Sequence, residues 1–115
     1  MSFELRQNDA LKLWQEVHLN LVREGGQDLS ARQLAILLTI YLDTPPHTVR
    51  GLAAKLNVTK PVISRALDTM GKAKLVTRRR DDTDRRNVIV QRTAEGALAV
   101  DRLGGIIRHR AKEIP

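Results

Sequence analysis

The sequence predicts a mainly α-helical chain interrupted late by one small β-hairpin, and three observations lead there. Residues 48–56 and 60–70 read as short helices separated by the tight turn Asn57-Val58-Thr59. Directly behind them lies an arginine-rich stretch with strand character, Leu75 to Arg80 and Asn87 to Arg92, joined by the loop Asp81 to Arg86. Two longer segments with helical spacing of apolar residues, 4–24 and 94–112, stand at either end. Helix, turn, helix and basic two-stranded ribbon in that order make a winged helix-turn-helix, here flanked by N- and C-terminal dimerisation helices. The expected organisation is one domain over 1–115, with 30–93 as its core.

In the first helix Ala10, Leu13, Trp14, Val17 and Leu21 share one face, and Asn8 or Asp9 can cap a tighter start. Gly25-Gly26 stops it. Ser30-Ala31-Arg32-Gln33 has capping-box spacing and starts the second helix, which Thr44-Pro45-Pro46 ends because proline cannot continue it. Thr48 caps the third helix, with Leu52, Ala53 and Leu56 inward. Thr59 caps the fourth, and Pro61 lies in its first turn, where the missing amide costs nothing. Its inward stripe is Ile63, Ala66, Leu67 and Met70. Thr93 caps the last helix, with Glu95 placed favourably in its first turn and Gly104-Gly105 as a site for a kink or a close neighbour.

Composition narrows the function. The chain has 115 residues, a net charge of +7 and no cysteine, which excludes disulfides and thiolate metal sites. Such a charge favours a polyanionic partner, nucleic acid or an acidic membrane surface. Its distribution favours nucleic acid: residues 72–92 hold eight basic side chains against three acidic ones, +5 of the +7. The start, Met1 to Arg6, has no signal-peptide shape, and no stretch approaches the roughly 18 apolar residues of a membrane span, so a cytoplasmic protein without a membrane partner is expected.

The fourth helix is the candidate recognition helix, offering Thr59, Lys60, Pro61, Val62, Ser64 and Arg65 to a groove of double-stranded DNA. Arg65 can take guanine bidentately, the methyls of Thr59 and Val62 can meet thymine methyls, and Lys60 suits a phosphate. The wing offers Arg78, Arg80, Arg85 and Arg86, with Arg85 near the tip suited to a narrow minor groove. Asp84 cannot favour phosphate and is expected to pair with Arg86 or another basic neighbour, stiffening the loop. For Arg79 and Arg92, contact and plain solvation remain open alternatives. The histidines, His18, His47 and His109, lack metal-ligand spacing, and His47 is expected in a loop. No phosphate-binding loop or hydrolase motif is present, so no enzyme activity, metal or cofactor is expected.

Leu52-Ala53-Ala54-Lys55-Leu56, Ser64-Arg65-Ala66-Leu67, Leu75-Val76-Thr77-Arg78-Arg79 and above all Asp82-Thr83-Asp84-Arg85-Arg86-Asn87-Val88, followed by Thr93-Ala94-Glu95-Gly96, resemble the multiple-antibiotic-resistance regulator (MarR) family of winged-helix transcription factors. The resemblance covers roughly residues 30–100. It implies a homodimer built from the terminal helices on a pseudo-palindromic operator, acting commonly as a repressor, with many members releasing DNA on binding a small phenolic or other ligand. No residue of this chain supports such an effector. Two departures stand out: Lys74 holds a place usually given to glycine, and the C-terminal helix is shorter than is usual in the family. Apolar residues beyond one stripe on each terminal helix mark the expected dimer interface: Leu5, Leu11, Trp14 and His18 on the first, Leu103, Ile106 and Ile107 on the last. The alternative is a winged-helix protein-interaction module that does not read DNA, for which Arg78, Arg79, Arg80, Arg85 and Arg86 together have no use.

Overall fold

Ser30 and the residues after it set the register of the core. The computed structural model describes residues 4–26 and 28–114; Met1 to Phe3, part of the start read as lacking signal-peptide shape, lie outside them, as do Gln27 and Pro115. Five helices, α1 (Gln7–Glu24), α2 (Ala31–Leu42), α3 (Val49–Leu56), α4 (Lys60–Lys72) and α5 (Ala94–Ala111), accompany the strands β1 (His47–Thr48), β2 (Val76–Arg80) and β3 (Val88–Arg92). The strands form an antiparallel sheet in the order β1-β3-β2, and the whole is a winged helix. Among the described residues no helix is long and apolar enough to cross a membrane.

The chain divides into two compact units, one of residues 29–100 and one of residues 1–28 with 101–115. In the first, the capping box forms as its spacing requires: Gln33 N–H donates to Ser30 Oγ, and the Gln33 side chain accepts from Ser30 N–H. That start turns Ile36, Leu37 and Ile40 into the core, where they meet Leu52 and Ala53 of α3, the α4 stripe Ile63, Ala66, Leu67 and Met70, and Val76 and Val90 of the sheet. With so few aromatics, branched aliphatic side chains fill this interior, and Ile36, Ile40, Ile63, Leu67 and Met70 are sealed from solvent.

Two helix ends are closed by left-handed residues. At α3, Asn57 takes φ 57°, Val58 N–H reaches the Ala53 carbonyl and Asn57 N–H the Ala54 carbonyl. At α4, Lys74 takes φ 63°, Leu75 N–H reaches Met70 and Lys74 N–H reaches Gly71. Both are Schellman closures, in which the residue after the cap must be left-handed. Asparagine tolerates that conformation; lysine is strained in it. Relief of about 1–2 kcal/mol of strain is partly offset by the roughly 0.5–1 kcal/mol that glycine loses in chain entropy. Lys74→Gly is therefore expected to raise stability by up to about 1 kcal/mol, seen as a higher urea midpoint; a lower midpoint would overturn this assignment of strain.

Several expectations are corrected. His47 is not a loop residue: it is 8% exposed, lies in β1 opposite Val90, and its Nε2 is 3.2 Å from the Asp43 carbonyl oxygen. Helix α1 begins at Gln7 rather than residue 4, with Arg6 at its N-cap, so neither Asn8 nor Asp9 caps it. Thr59 occupies the N-cap of α4, but its side chain makes no capping bond. The strands are one residue shorter at their starts than expected, Leu75 and Asn87 lying outside them. Helix α5 runs unbroken through Gly104 and Gly105, and a side chain on either would meet nothing within 4 Å.

In the second unit, Arg110 donates to Asn20 at 2.7 Å and lies 3.8 Å from Glu16, and Arg102 pairs with Glu24 at 2.9 Å. These bonds join α1 to the final turns of α5. Val17 is buried, whereas Leu11, Trp14 and Val22 on the same helix are 65%, 56% and 78% exposed.

Candidate nucleic-acid interface

Helix α4 separates cleanly into an inner and an outer face. The inner stripe is sealed in the core, while Thr59, Lys60, Pro61 and Arg65 are exposed and Val62 and Ser64 half-buried. The recognition residues expected from the sequence thus lie at the exposed start of one helix. Lys60 and Arg65 make no ion pair among the described residues, leaving both cations available to an external anion. Arg65, Val62 and Thr69 also line a shallow groove with Ser30, Arg32 and Gln33 from the start of α2. The sequence placed Arg32 and Gln33 only in the Ser30 capping box, and their position beside α4 was not legible from it.

The wing meets this helix through a charge pair. Arg78 of β2 donates to Asp68 of α4 at 2.6 Å, joining the outer side of the helix to the edge of the hairpin. Arg78 therefore has a partner within the chain, a positioning role that spacing did not reveal. Arg80 donates to the Arg85 carbonyl at 3.0 Å, tying the strand end to the far side of the loop. Arg79 is exposed, as are Arg80, Arg85 and Arg86.

The loop is stiffened as expected. Arg86 donates to both Asp84 carboxylate oxygens from its side chain and to one from its backbone. The Arg86 side chain, then its backbone amide and the more distant Arg50 charge hold the Asp84 carboxyl below its usual range. Thr83 does the same for Asp81 through its hydroxyl and amide. A lowered carboxylate favours the folded loop above the ordinary aspartate range, and this contribution fades as pH falls through the lowered value.

Arg92, exposed at the end of β3, is nevertheless fastened within the chain. Its Nε donates to the Ile40 carbonyl at 2.8 Å and its Nη2 to the Asp43 carbonyl at 2.9 Å, so it caps the end of α2. The guanidinium also lies 5.8 Å from the Tyr41 ring centroid. Arg92 is thus an exposed strand residue whose guanidinium is also held at the end of α2.

The residues expected at a dimer interface are distributed unevenly. Leu11, Trp14, His18 and Ile107 are exposed, while Leu5, Leu103 and Ile106 are half-buried. The Trp14 and His18 rings stack edge to face with centroids 4.3 Å apart, and His18 Nδ1 lies 2.8 Å from the Trp14 carbonyl oxygen. Among the described residues no group of histidine, aspartate and glutamate side chains could hold a metal ion.

The family model described as the MarR family matches residues 29–88, which is 60 of the 115 residues. No curated protein matches the sequence. Among solved structures, a MepR variant from S. aureus bound to an oligodeoxyribonucleotide gives a TM-score of 0.78 at 22% identity, covering 90% of this chain and 74% of that one. A transcriptional regulator from Thermotoga maritima gives 0.75 at 20% identity, covering 94% and 73%. The transcriptional repressor CouR, bound to a 23-mer DNA duplex, gives 0.72 at 20% identity, covering 93% and 72%. At these identities the likeness establishes the winged-helix fold, and the family match, over more than half of the chain, establishes the rest: the chain belongs to the MarR family of transcription regulators and is not an enzyme.

Proposed function

We propose that the protein is a sequence-specific, double-stranded DNA-binding regulator of the cytoplasm, a homodimeric repressor acting on a pseudo-palindromic operator. The observation that carries this reading is the Asp68–Arg78 bridge. It joins the exposed side of α4 to a hairpin rich in arginine, so that a helix sized for the major groove and a basic finger for the adjoining backbone or minor groove form one surface. The DNA-bound state of the MepR variant and of CouR supports the same use of the fold. The two-fold arrangement rests on Leu11, Trp14 and Val22, large apolar side chains left mostly exposed on one helix. Burying each between copies is worth about 1.5–3 kcal/mol, and symmetry would place two recognition helices roughly 34 Å apart, one turn of DNA.

Sedimentation at micromolar concentration tests the assembly, and selection from random duplex DNA tests the reading of sequence. A mass near 12.9 kDa, or selected sites without repeated halves, would overturn the homodimer and the palindrome together. Within the selected site, Arg65→Ala is expected to cost about 1–3 kcal/mol and to relax preference at one base pair, whereas Lys60→Ala weakens all sequences alike. Equal loss on specific and random DNA for the arginine change would remove its base-reading role.

A further inference from the structure

We propose that the Tyr41 hydroxyl and Thr93 are positioning residues that set the separation of the two recognition helices in the dimer, an inference that rests on the homodimer reading above. The Tyr41 hydroxyl donates to the Leu75 carbonyl at 2.6 Å and accepts from Thr93 N–H at 2.9 Å. One side chain from α2 thus bridges the residue before β2 and the residue after β3, at the base of the hairpin. Beside it, the Thr93 hydroxyl donates to the Lys74 carbonyl at 2.7 Å and accepts from Gly96 N–H at 2.9 Å. Lys74 is the left-handed residue that closes α4. The first turn of α5 is therefore fastened to the end of the recognition helix through a single threonine, and both are fastened to α2 through a single hydroxyl.

Packing of Leu75, Val76 and Val90 already anchors the hairpin in the core. Apolar contacts are non-directional, whereas hydrogen bonds of 2.6–2.9 Å with defined angles fix orientation. Gly96 makes the fit closer still, since its backbone lies so near Tyr41 and Leu75 that no side chain can enter. Helix α5 is one of the two helices expected to meet the partner copy. The bonds at its first turn are therefore placed to bear on the spacing between recognition helices.

The protein has no cysteine, so Lys72→Cys introduces a unique spin-label site at the exposed end of α4. The labelled protein is expected to give one narrow distance between protomers. Adding Tyr41→Phe, which keeps the ring and removes the hydroxyl, should broaden or displace that distribution, as should Thr93→Ala, and Thr93→Ser should restore it. An unchanged distribution in both hydroxyl-deleting variants, accompanied only by lower melting temperatures, would show that these bonds serve stability alone and would overturn the inference. Absence of any distance between protomers in the parent labelled protein would instead remove the homodimer, and this inference with it.

Discussion

Between about 50 and 200 mM salt the affinity for duplex DNA is expected to fall about a thousandfold or more. The magnitude follows from counterion release: each neutralised phosphate contributes a slope of about 0.9 in log affinity against log salt, and a dimer with about six contacts already reaches three decades over a fourfold change. The structure identifies which charges can supply them. Lys60, Arg65, Arg80 and Arg85 are exposed and without carboxylate partners among the described residues. Arg92 is spent on the end of α2, Arg78 is held by Asp68 and Arg86 by Asp84. Arg92→Ala should therefore lower stability while leaving the salt slope nearly unchanged, and Arg85→Ala should do the reverse, each measured by titration at several ionic strengths. A flat salt response would exclude this mode of binding.

Gly96→Ala is expected to destabilise the protein by about 2 kcal/mol or more, although alanine is the better helix former by about 1 kcal/mol. A Cβ at Gly96 would collide with the Tyr41 hydroxyl and the Leu75 carbonyl. Neither can retreat: the carbonyl belongs to a residue whose own amide closes α4, and the hydroxyl is bonded on both sides. Gly104→Ala and Gly105→Ala, in the same helix with nothing near, should instead stabilise by up to about 1 kcal/mol. Urea midpoints measured on the three variants test this contrast of sign, and a Gly96→Ala protein as stable as the parent would refute the close approach.

Local rules made much of this fold legible from sequence. The inward stripe of α4, the Ser30 capping box, the Thr48 cap, the stop at Gly25 and the Asp84–Arg86 pair each depend on residues within a few positions of one another. The left-handed Lys74 was legible through the family's usual glycine at that place. What escaped depends on distance along the chain. Strand β1 is two residues long, too short for any alternation, and exists because β3 accepts it. Arg92 reaches carbonyls 49 and 52 positions earlier, and the Tyr41 hydroxyl reaches groups 34 and 52 positions later. Arg78 finds Asp68 across two elements. In the candidate interface, residue types were therefore readable, while which arginines have partners within the chain was not.

The strand order carries a consequence for colloidal behaviour. With β3 in the middle, β2 is an open edge whose outer backbone groups could template pairing with another chain. Three successive arginines, Arg78, Arg79 and Arg80, make that edge repulsive to its own copies, and the opposite edge is kept to two residues preceded by Pro45 and Pro46. The same charges that would attract a polyanion thus act as gatekeepers against intermolecular sheet growth. Neutralising the run should promote aggregation even without DNA, so light scattering belongs beside every binding curve recorded on a wing variant.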